Sequence, residues 1–387
     1  MKQVITTEIK PIKLWLDEIE AEAMAQARNL ANLPFAFRHI AIMPDSHVGY
    51  GMPIGAVMAT RGVVVPNAVG VDIGCGMCAV KTDRKSIIKP KLKKIFEIAR
   101  ELIPVGFNHH KKAQDEALMP SQSFDGLKIV TREYNAALKQ IGTLGSGNHF
   151  IEIQKGSDGY IWIMIHSGSR NIGLKVANYY NNVAKHLNEK YFSAVPKEMQ
   201  LAFLPMESEE AHQYMNEMQY CIDFALANRK LMMERMIGAI TEVMGSVNHN
   251  EIINKAHNFA AWEHHFNTNV LVHRKGATRA YEDEPGMIPG SQGTKSYIGR
   301  GLGNTESFKS CSHGAGRKMG RAKAIKELDL DKEISFLEKQ GILHAIRHKT
   351  DLEEAAGAYK DINVVMENQK DLVEIVVELQ PLAVIKG

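Results

Sequence analysis

The 387-residue chain is 44% hydrophobic and 24% charged, ordinary fractions for a folded globular protein, and its length allows one large domain or two to three smaller ones. Its 47 Lys and Arg against 44 Asp and Glu leave a formal charge of +3, which permits an RNA partner without demanding one. Four cysteines (Cys75, Cys78, Cys221 and Cys311) are too few for a disulfide scaffold in so long a chain, and no apolar run reaches the length of a membrane span. The N-terminus "MKQVITTEIKPIKLWLDEIE" alternates charge with apolar residues, so no export signal and no membrane contact are expected, and the location predicted is cytoplasmic.

Residues 40–82 predict strands joined by tight turns: "HIAIMPDSHVGYGMPIGAVMAT" and "GVVVPNAVGVDIGCGMCAV" are rich in Gly, Val and Ile and poor in helix formers. The stretch "KPKLKKIFEIARELI", residues 89–103, spaces its apolar residues as an amphipathic helix does. Residues 106–128 are polar and predict a loop. A second strand-and-turn block covers 141–170, with "IGTLGSGNHFIEI" and "IWIMIHSGSR". A long helical stretch follows near 173–245, broken by a loop at "SAVPKEMQ". A third Gly-rich block runs over 270–317, one helix is expected near 332–347, and "DLVEIVVELQPLAVIKG" predicts a last strand. There are no repeats, low-complexity segments or Pro/Ser-rich linkers. That favours one interwoven α+β domain, because motif-bearing blocks far apart in sequence must meet to form any joint site.

Several motifs fail on inspection. "CGMC" is a lone C-x-x-C with no second pair, and Cys78 opens what reads as an outgoing strand. "GSQGTKS" lacks the glycine that a P-loop places before its lysine. "HAIRH" would set His344 and His348 on one helical face, but without the glutamate of a zinc protease it reads as an ordinary exposed face. His109–His110 and His264–His265 read as surface pairs.

Others carry chemistry. Asp72 and Cys75 in "VDIGCGM", His149 in "GSGNHFIE", His166 in "MIHSGSR" and His257 in "KAHNFA" supply a carboxylate, a thiolate and three imidazoles, each beside a glycine, an asparagine or a strand end. That is a metal-ligand set, and two ions sharing the thiolate would use all five. Paired metals suit phosphoryl chemistry. "SCSHGAGRKMGR" surrounds His313 with small residues and cations, a setting in which phosphate can approach an imidazole.

At these residues the chain resembles the RtcB family of RNA ligases. The likeness runs from "MPDSHVGYG" through "VGVDIGCGM", "LGSGNHFIE", "IHSGSR", "IPGSQGTKSY" and "SCSHGAGR" to the terminal "IKG". It implies a single catalytic domain over 1–387, built of packed β-sheets with flanking helices. It implies joining of RNA 2′,3′-cyclic-phosphate or 3′-phosphate ends to 5′-hydroxyl ends, with GTP as co-substrate and two manganese ions. The RNA partners would be tRNA halves or damaged RNA. An activating protein partner is not readable from the residues. Under the resemblance His313 is the guanylylated nucleophile and Asp45 orients it. Asp72, Cys75, His149, His166 and His257 hold metal, with Cys75 bridging. Asn148 and Arg170 lie near the phosphates and RNA end. Glu152, Ser291, Ser296 and Lys386 contact the guanine nucleotide, while Gly314, Gly316 and Arg317 admit and bind phosphate. The residues themselves leave open a di-metal phosphodiesterase that opens cyclic phosphates without ligating, and a non-enzymatic RNA-binding or metal-storage protein. Thiolate and imidazole alone suit zinc as well as manganese.

Overall fold

The computed structural model describes residues 1–387. Two sheets dominate it. One has six strands in the order Gln3–Ile5, Ile12–Leu14, Ala36–His47, Ile54–Thr60, Thr268–Lys275 and Asn258–His265. The other has seven, in the order Ile253–Ala256, Gly76–Lys81, Ile161–Ser167, Phe150–Gly156, Val373–Lys386, Ser296–Gly301 and Pro285–Ile288. The seven-stranded sheet is antiparallel throughout, and the six-stranded sheet has one parallel pair, Ile12–Leu14 with Ala36–His47. The expected mixed α/β architecture of packed sheets with flanking helices is what the chain adopts.

Strand periodicity explains how the seven-stranded sheet is used. Side chains alternate between faces every residue. Ile161, Ile163 and Ile165 join Cys78, Val80, Ile151, Ile153, Ala383 and Ile385 in an apolar layer under the helices. That layer is closed by Leu92, Ile95, Phe96 and Ala99 of the helix Lys89–Leu102 and by Met232, Met233, Met236 and Ile240 of the helix Glu209–Met244. The intervening residues Met77, Ala79, Phe150, Trp162 and Met164 face the opposite way. Cys75, Glu152 and His166 share the parity of that second set, so the same alternation that buries the isoleucines delivers them to the other face.

The long helical stretch is two helices, Arg170–Lys190 and Glu209–Met244, with a 3₁₀ turn at Lys197–Met199 in the expected loop. The second opens on Ser208, whose hydroxyl accepts from Ala211 N, and stops at Gly245 with φ +81°. No helix is long and apolar enough to cross a membrane.

Some expectations need correction. The expected helix near 332–347 spans only Leu330–Lys339 and ends before Gly341, whose φ is +72°. His344 and His348 therefore lie beyond it and share no helical face. The loop expected over 106–128 contains a 3₁₀ turn at Glu116–Leu118 and gives way at Lys128 to a helix, Lys128–Ala137, whose N-terminal amides of Ile129 and Val130 donate to the buried Glu217 carboxylate. The pair His264–His265 is not a surface pair. His265 is buried with its Nε2 2.8 Å from Glu263, which also binds the buried Arg274, while His264 is exposed. His110 is partly covered by Arg235. The helices Ala21–Ala31, Arg321–Glu327 and Ile362–Asn368 carry short or mixed patterns that periodicity did not single out.

The strand ends are tied to the long helix by one buried cation. Arg229 donates from Nη1 to the carbonyls of Gly74 and Ser167, both at 2.8 Å, and from Nε to Asn254 at 2.7 Å. Arg229→Met should cost about 2–4 kcal/mol, since it leaves buried carbonyls unpaired. Urea unfolding of the two proteins checks this; a loss under about 0.5 kcal/mol would mean the carbonyls find other donors.

Candidate active site

At the edge of the seven-stranded sheet the chain crosses into the six-stranded sheet through His257 and Asn258. His257 N donates to Cys75 O at 2.8 Å, Gly74 N donates to Asn258 O at 2.8 Å, and the Asn258 amide bonds Asp72 O and Gly276 N. This stitching holds the turn that carries Asp72 and Cys75 against the strand end that carries His166. A Cβ at Gly168 would overlap the Asp72 carboxylate, so only glycine fits there.

Cys75, His149 and His166 place their donor atoms within 4.8 Å of one another, a buried cluster able to hold a metal ion. Cys75 Sγ lies 3.5 Å from His149 Nε2 and 3.3 Å from His166 Nε2. Asp72 and His257 stand at its two ends: Asp72 Oδ2 is 3.1 Å from His149 Nε2, and His257 Nε2 is 3.3 Å from His166 Nε2. The tautomers are set by the backbone. His149 Nδ1 donates to Leu144 O and His166 Nδ1 to Asn148 O, each at 3.0 Å, which leaves both Nε2 lone pairs aimed inward. Burial, and the neighbouring imidazoles, push His166 and His257 well below the usual histidine range, so both are neutral. Burial and Asp72 push the Cys75 thiol up. The inward Nε2 lone pairs converge with the Cys75 sulfur and the Asp72 carboxylate, and a cation that displaces the thiol proton is what such a set accepts. Cys78, by contrast, lies on the isoleucine side of the sheet.

His313 follows the short strand Ser310–Ser312, which pairs with Ala277–Arg279. Its Nδ1 donates to Asp45 Oδ2 at 2.6 Å, and the same oxygen accepts from His313 N at 3.0 Å and Gly314 N at 3.3 Å. Asp45 is fully buried, and although burial pushes its carboxyl up, His313 with His47 and Lys360 together hold it below the usual carboxylate range. The His313 ring stands 4.8 Å from that of His257, centre to centre. A Cβ at Gly316, where φ is +73°, would overlap the Asp45 carbonyl, so the loop is glycine by necessity.

These groups line a cavity of about 510 Å3 between the sheets. Asp72, Cys75, Asn148, Glu152, His166, His257, Ser291, His313, Gly314, Gly316, Arg317 and Lys386 all face it. His149 and Arg170 sit behind the wall, and Gly145 separates them so closely that any side chain there would strike both. Ser296 is buried, its hydroxyl accepting from Gln154 and from Gly290 N. Ser291 bonds Thr294. Burial pushes the Glu152 carboxyl up to about 8, against the opposing pull of Lys386. Arg317 is not the free fork its sequence setting suggested. Its guanidinium is occupied by Met319 O, Glu354 and Glu353 O.

Three groups escaped the motif reading. Glu354 is a buried carboxylate joining Arg317, Arg321 and Tyr359, set in a charged stretch with no distinguishing pattern. Asn258 adjoins a singled-out histidine. Lys275 lies in the cavity wall with Nζ on the carbonyls of Tyr50 (2.6 Å) and Asn67 (3.1 Å), and burial lowers it to about 7. A lysine beside a glycine at a strand end, in "HRKGAT", was the available clue.

Comparison with known proteins gives a consistent result. The family model described as "tRNA-splicing ligase RtcB" matches residues 26–127 and 115–387. The chain is 38% identical to an Escherichia coli protein named RNA-splicing ligase RtcB1, over 100% of this chain and 99% of that one. It is 37% identical to the RNA-splicing ligase RtcB of Escherichia coli K12, with the same coverage. It is 31% identical to the tRNA-splicing ligase RtcB of Thermococcus kodakarensis, over 94% of this chain and 91% of that one.

The opposite orientations of the two cysteines make a direct test of the cluster. Cys75→Ala should abolish stoichiometric binding of a divalent ion, measured by metal analysis after dialysis, with the fold retained by circular dichroism. Cys78→Ala should bind metal as the parent does. Equal loss in both would point to a site built on the C-x-x-C instead.

Proposed function

The chain belongs to the RtcB family of RNA ligases, and we propose that it joins RNA 3′-phosphate or 2′,3′-cyclic-phosphate ends to 5′-hydroxyl ends through a guanylylated His313. The observation that carries this reading is the Asp45–His313 pair beside the Cys75 cluster in one cavity. With Nδ1–H held by Asp45, the neutral ring keeps its nucleophilic lone pair on Nε2. Attack by Nε2 on the α-phosphorus of GTP forms an N–P bond and breaks the bond to pyrophosphate, which leaves. Asp45 stabilises the positive ring that results. An oxygen of the RNA 3′-phosphate then attacks the same phosphorus, the N–P bond breaks, and His313 returns to its neutral form. The 5′-hydroxyl oxygen finally attacks the activated 3′-phosphate, the bond to GMP breaks, GMP leaves, and the hydroxyl proton passes to solvent. A cyclic end must first be opened by water.

Asp72, Cys75, His149, His166 and His257 would hold two metal ions, read as manganese, with Cys75 shared. Bound there, the metal would offset the negative charge gathered at the phosphates. The donor set fits this by its converging lone pairs. We assign Glu152 and Lys386 to the guanine, Ser291 and Ser296 to its surroundings, and Asn148 and Arg170 to the phosphates and RNA end. Arg317 acts chiefly through Glu354. Residues 1–387 are read as one catalytic domain, since both sheets combine segments from distant parts of the chain. A di-metal phosphodiesterase could use the same imidazole as a general acid, and it is labelling of His313 by GTP that distinguishes the ligase from it. The RNA would be a tRNA half or another broken strand.

His313→Ala should lose all labelling by α-labelled GTP while still binding metal, and should fail to join 3′-phosphate to 5′-hydroxyl RNA. Labelling equal to the parent would sink the assignment. A second outcome concerns pH. Guanine presents N1–H and N2–H donors, which need the Glu152 carboxylate ionised, yet burial holds that group near 8 when free. Binding must therefore release a proton. Guanosine affinity should rise as pH rises from about 6 to about 8, by up to about tenfold per unit, and Glu152→Gln should flatten the slope. Calorimetric titration in two buffers of different ionisation heat measures it; a flat profile in the parent would remove Glu152 from the guanine contact.

A further inference from the structure

A second cavity, of about 440 Å3, opens beside the loop that follows the helix Arg170–Lys190. Lys185, Phe192, Lys197 and Gln200 are among its lining residues. Phe192 is 93% exposed, held out by a backbone φ of +54° at the end of the helix. Its neighbour Tyr191 is 70% exposed, with the Lys190 ammonium 5.2 Å from its ring centre. Two large aromatic side chains thus stand exposed next to each other at the mouth of one cavity.

This cavity is bonded to the wall of the active-site cavity. Asn67 accepts from Lys275 Nζ on one side and donates through its amide to Gln200 O at 2.7 Å on the other. Lys275 faces the first cavity and Gln200 the second. Tyr50, 48% exposed, lies between: its carbonyl holds Lys275, and the Lys185 ammonium stands 6.0 Å from its ring centre. The charge is suited to an anion. Glu189 is the sole carboxylate lining the second cavity and is bound by Lys197 at 2.8 Å. Lys185 is half-buried and has no carboxylate within 4.0 Å.

We propose that Tyr50, Lys185 and Phe192 form a track for single-stranded RNA, carrying one arm of the substrate from the active-site cavity into the second one. The Lys185 ammonium stands by the Tyr50 ring and lines the same cavity as Phe192, so stacking faces and a cation occur together, as a chain of bases and phosphates requires. The partner follows from charge. An apolar protein surface laid on Phe192 would leave the Lys185 ammonium buried without an anion, whereas a phosphate satisfies it. The inference rests on the reading of the chain as an RNA ligase and adds to it a surface outside the reacting centre.

The experiment varies arm length. RNAs are prepared in which the 3′-phosphate arm and the 5′-hydroxyl arm are separately extended from about 3 to about 15 nucleotides. In the parent protein, KM for joining and Kd by fluorescence anisotropy should fall with the length of one arm. Phe192→Ala combined with Lys185→Ala should remove about tenfold of that gain. The shortest RNA should be joined, and His313 labelled by GTP, as in the parent. Phe192→Tyr, which keeps a stacking face, should restore most of the loss. The proposal is overturned if the double variant keeps the full length dependence in both arms, or if it loses short and long RNAs equally. Failure of the parent to be labelled by GTP would instead sink the ligase reading. The anisotropy measurement needs no turnover and still reports on the track.

Discussion

Everything at the site depends on the two-residue alternation of the seven-stranded sheet. A strand buried under helices must present an unbroken apolar face, and Ile161, Ile163 and Ile165 supply it. The residues between them are then obliged to point the other way. His166 is the last of that series, Cys75 precedes the equivalent series in its strand, and Glu152 lies within its own. Burial of the core and presentation of the chemistry are one geometric event. A shift of register by one residue would bury the imidazole and expose isoleucine, so core packing itself guards the site.

The six-stranded sheet contributes Asp45, and the short strand pair Ala277–Arg279 with Ser310–Ser312 brings His313 to it. Asp45 closes a strand of the six-stranded sheet and accepts three hydrogen bonds from His313 and Gly314. Two glycines make room for the aspartates: Gly316 lies against the Asp45 backbone and Gly168 against the Asp72 carboxylate. Between them Asn258 bonds both the turn that carries Asp72 and the Gly276 amide, at the start of the strand paired with Ser310–Ser312. An imidazole held on one side by a buried carboxylate loses rotational freedom before any substrate arrives, which is the entropic part of catalysis provided in advance.

The cavity is electrically unsettled without ligand. Burial drives Lys275 down to about 7 and Lys386 below its ordinary value, while it drives Glu152 up to about 8. Each group is costly to charge in place, and each is relieved by a partner of the opposite character. A phosphate would relieve Lys275, a ring carbonyl oxygen Lys386, and ring N–H donors the carboxylate. Such a site spends folding stability on ligand binding, and the surrounding sheets and the Arg229 bridge supply the rigidity that permits it.

Local pattern was enough for much of this. The strand-and-turn blocks over 40–82 and 141–170, the amphipathic helix at Lys89–Leu102, the long helical stretch with its loop and the metal-donor residue types were all legible, because each depends on neighbours a few residues away. The likeness of its motifs to a ligase family was legible too. Tertiary structure alone decided what the isolated motifs could not. It separated Cys75 from Cys78 by facing them oppositely, buried His265 against Glu263 and Arg274, took Arg317 away from solvent and gave it to Glu354, and ended the helix before His344. It also set Lys275 and Asn67 between two cavities. The physical reason is range. Propensity and periodicity report on contacts within a few residues, whereas an ion pair such as Arg317 with Glu354, 37 residues apart, or His313 with Asp45, 268 apart, exists only once distant segments have packed together.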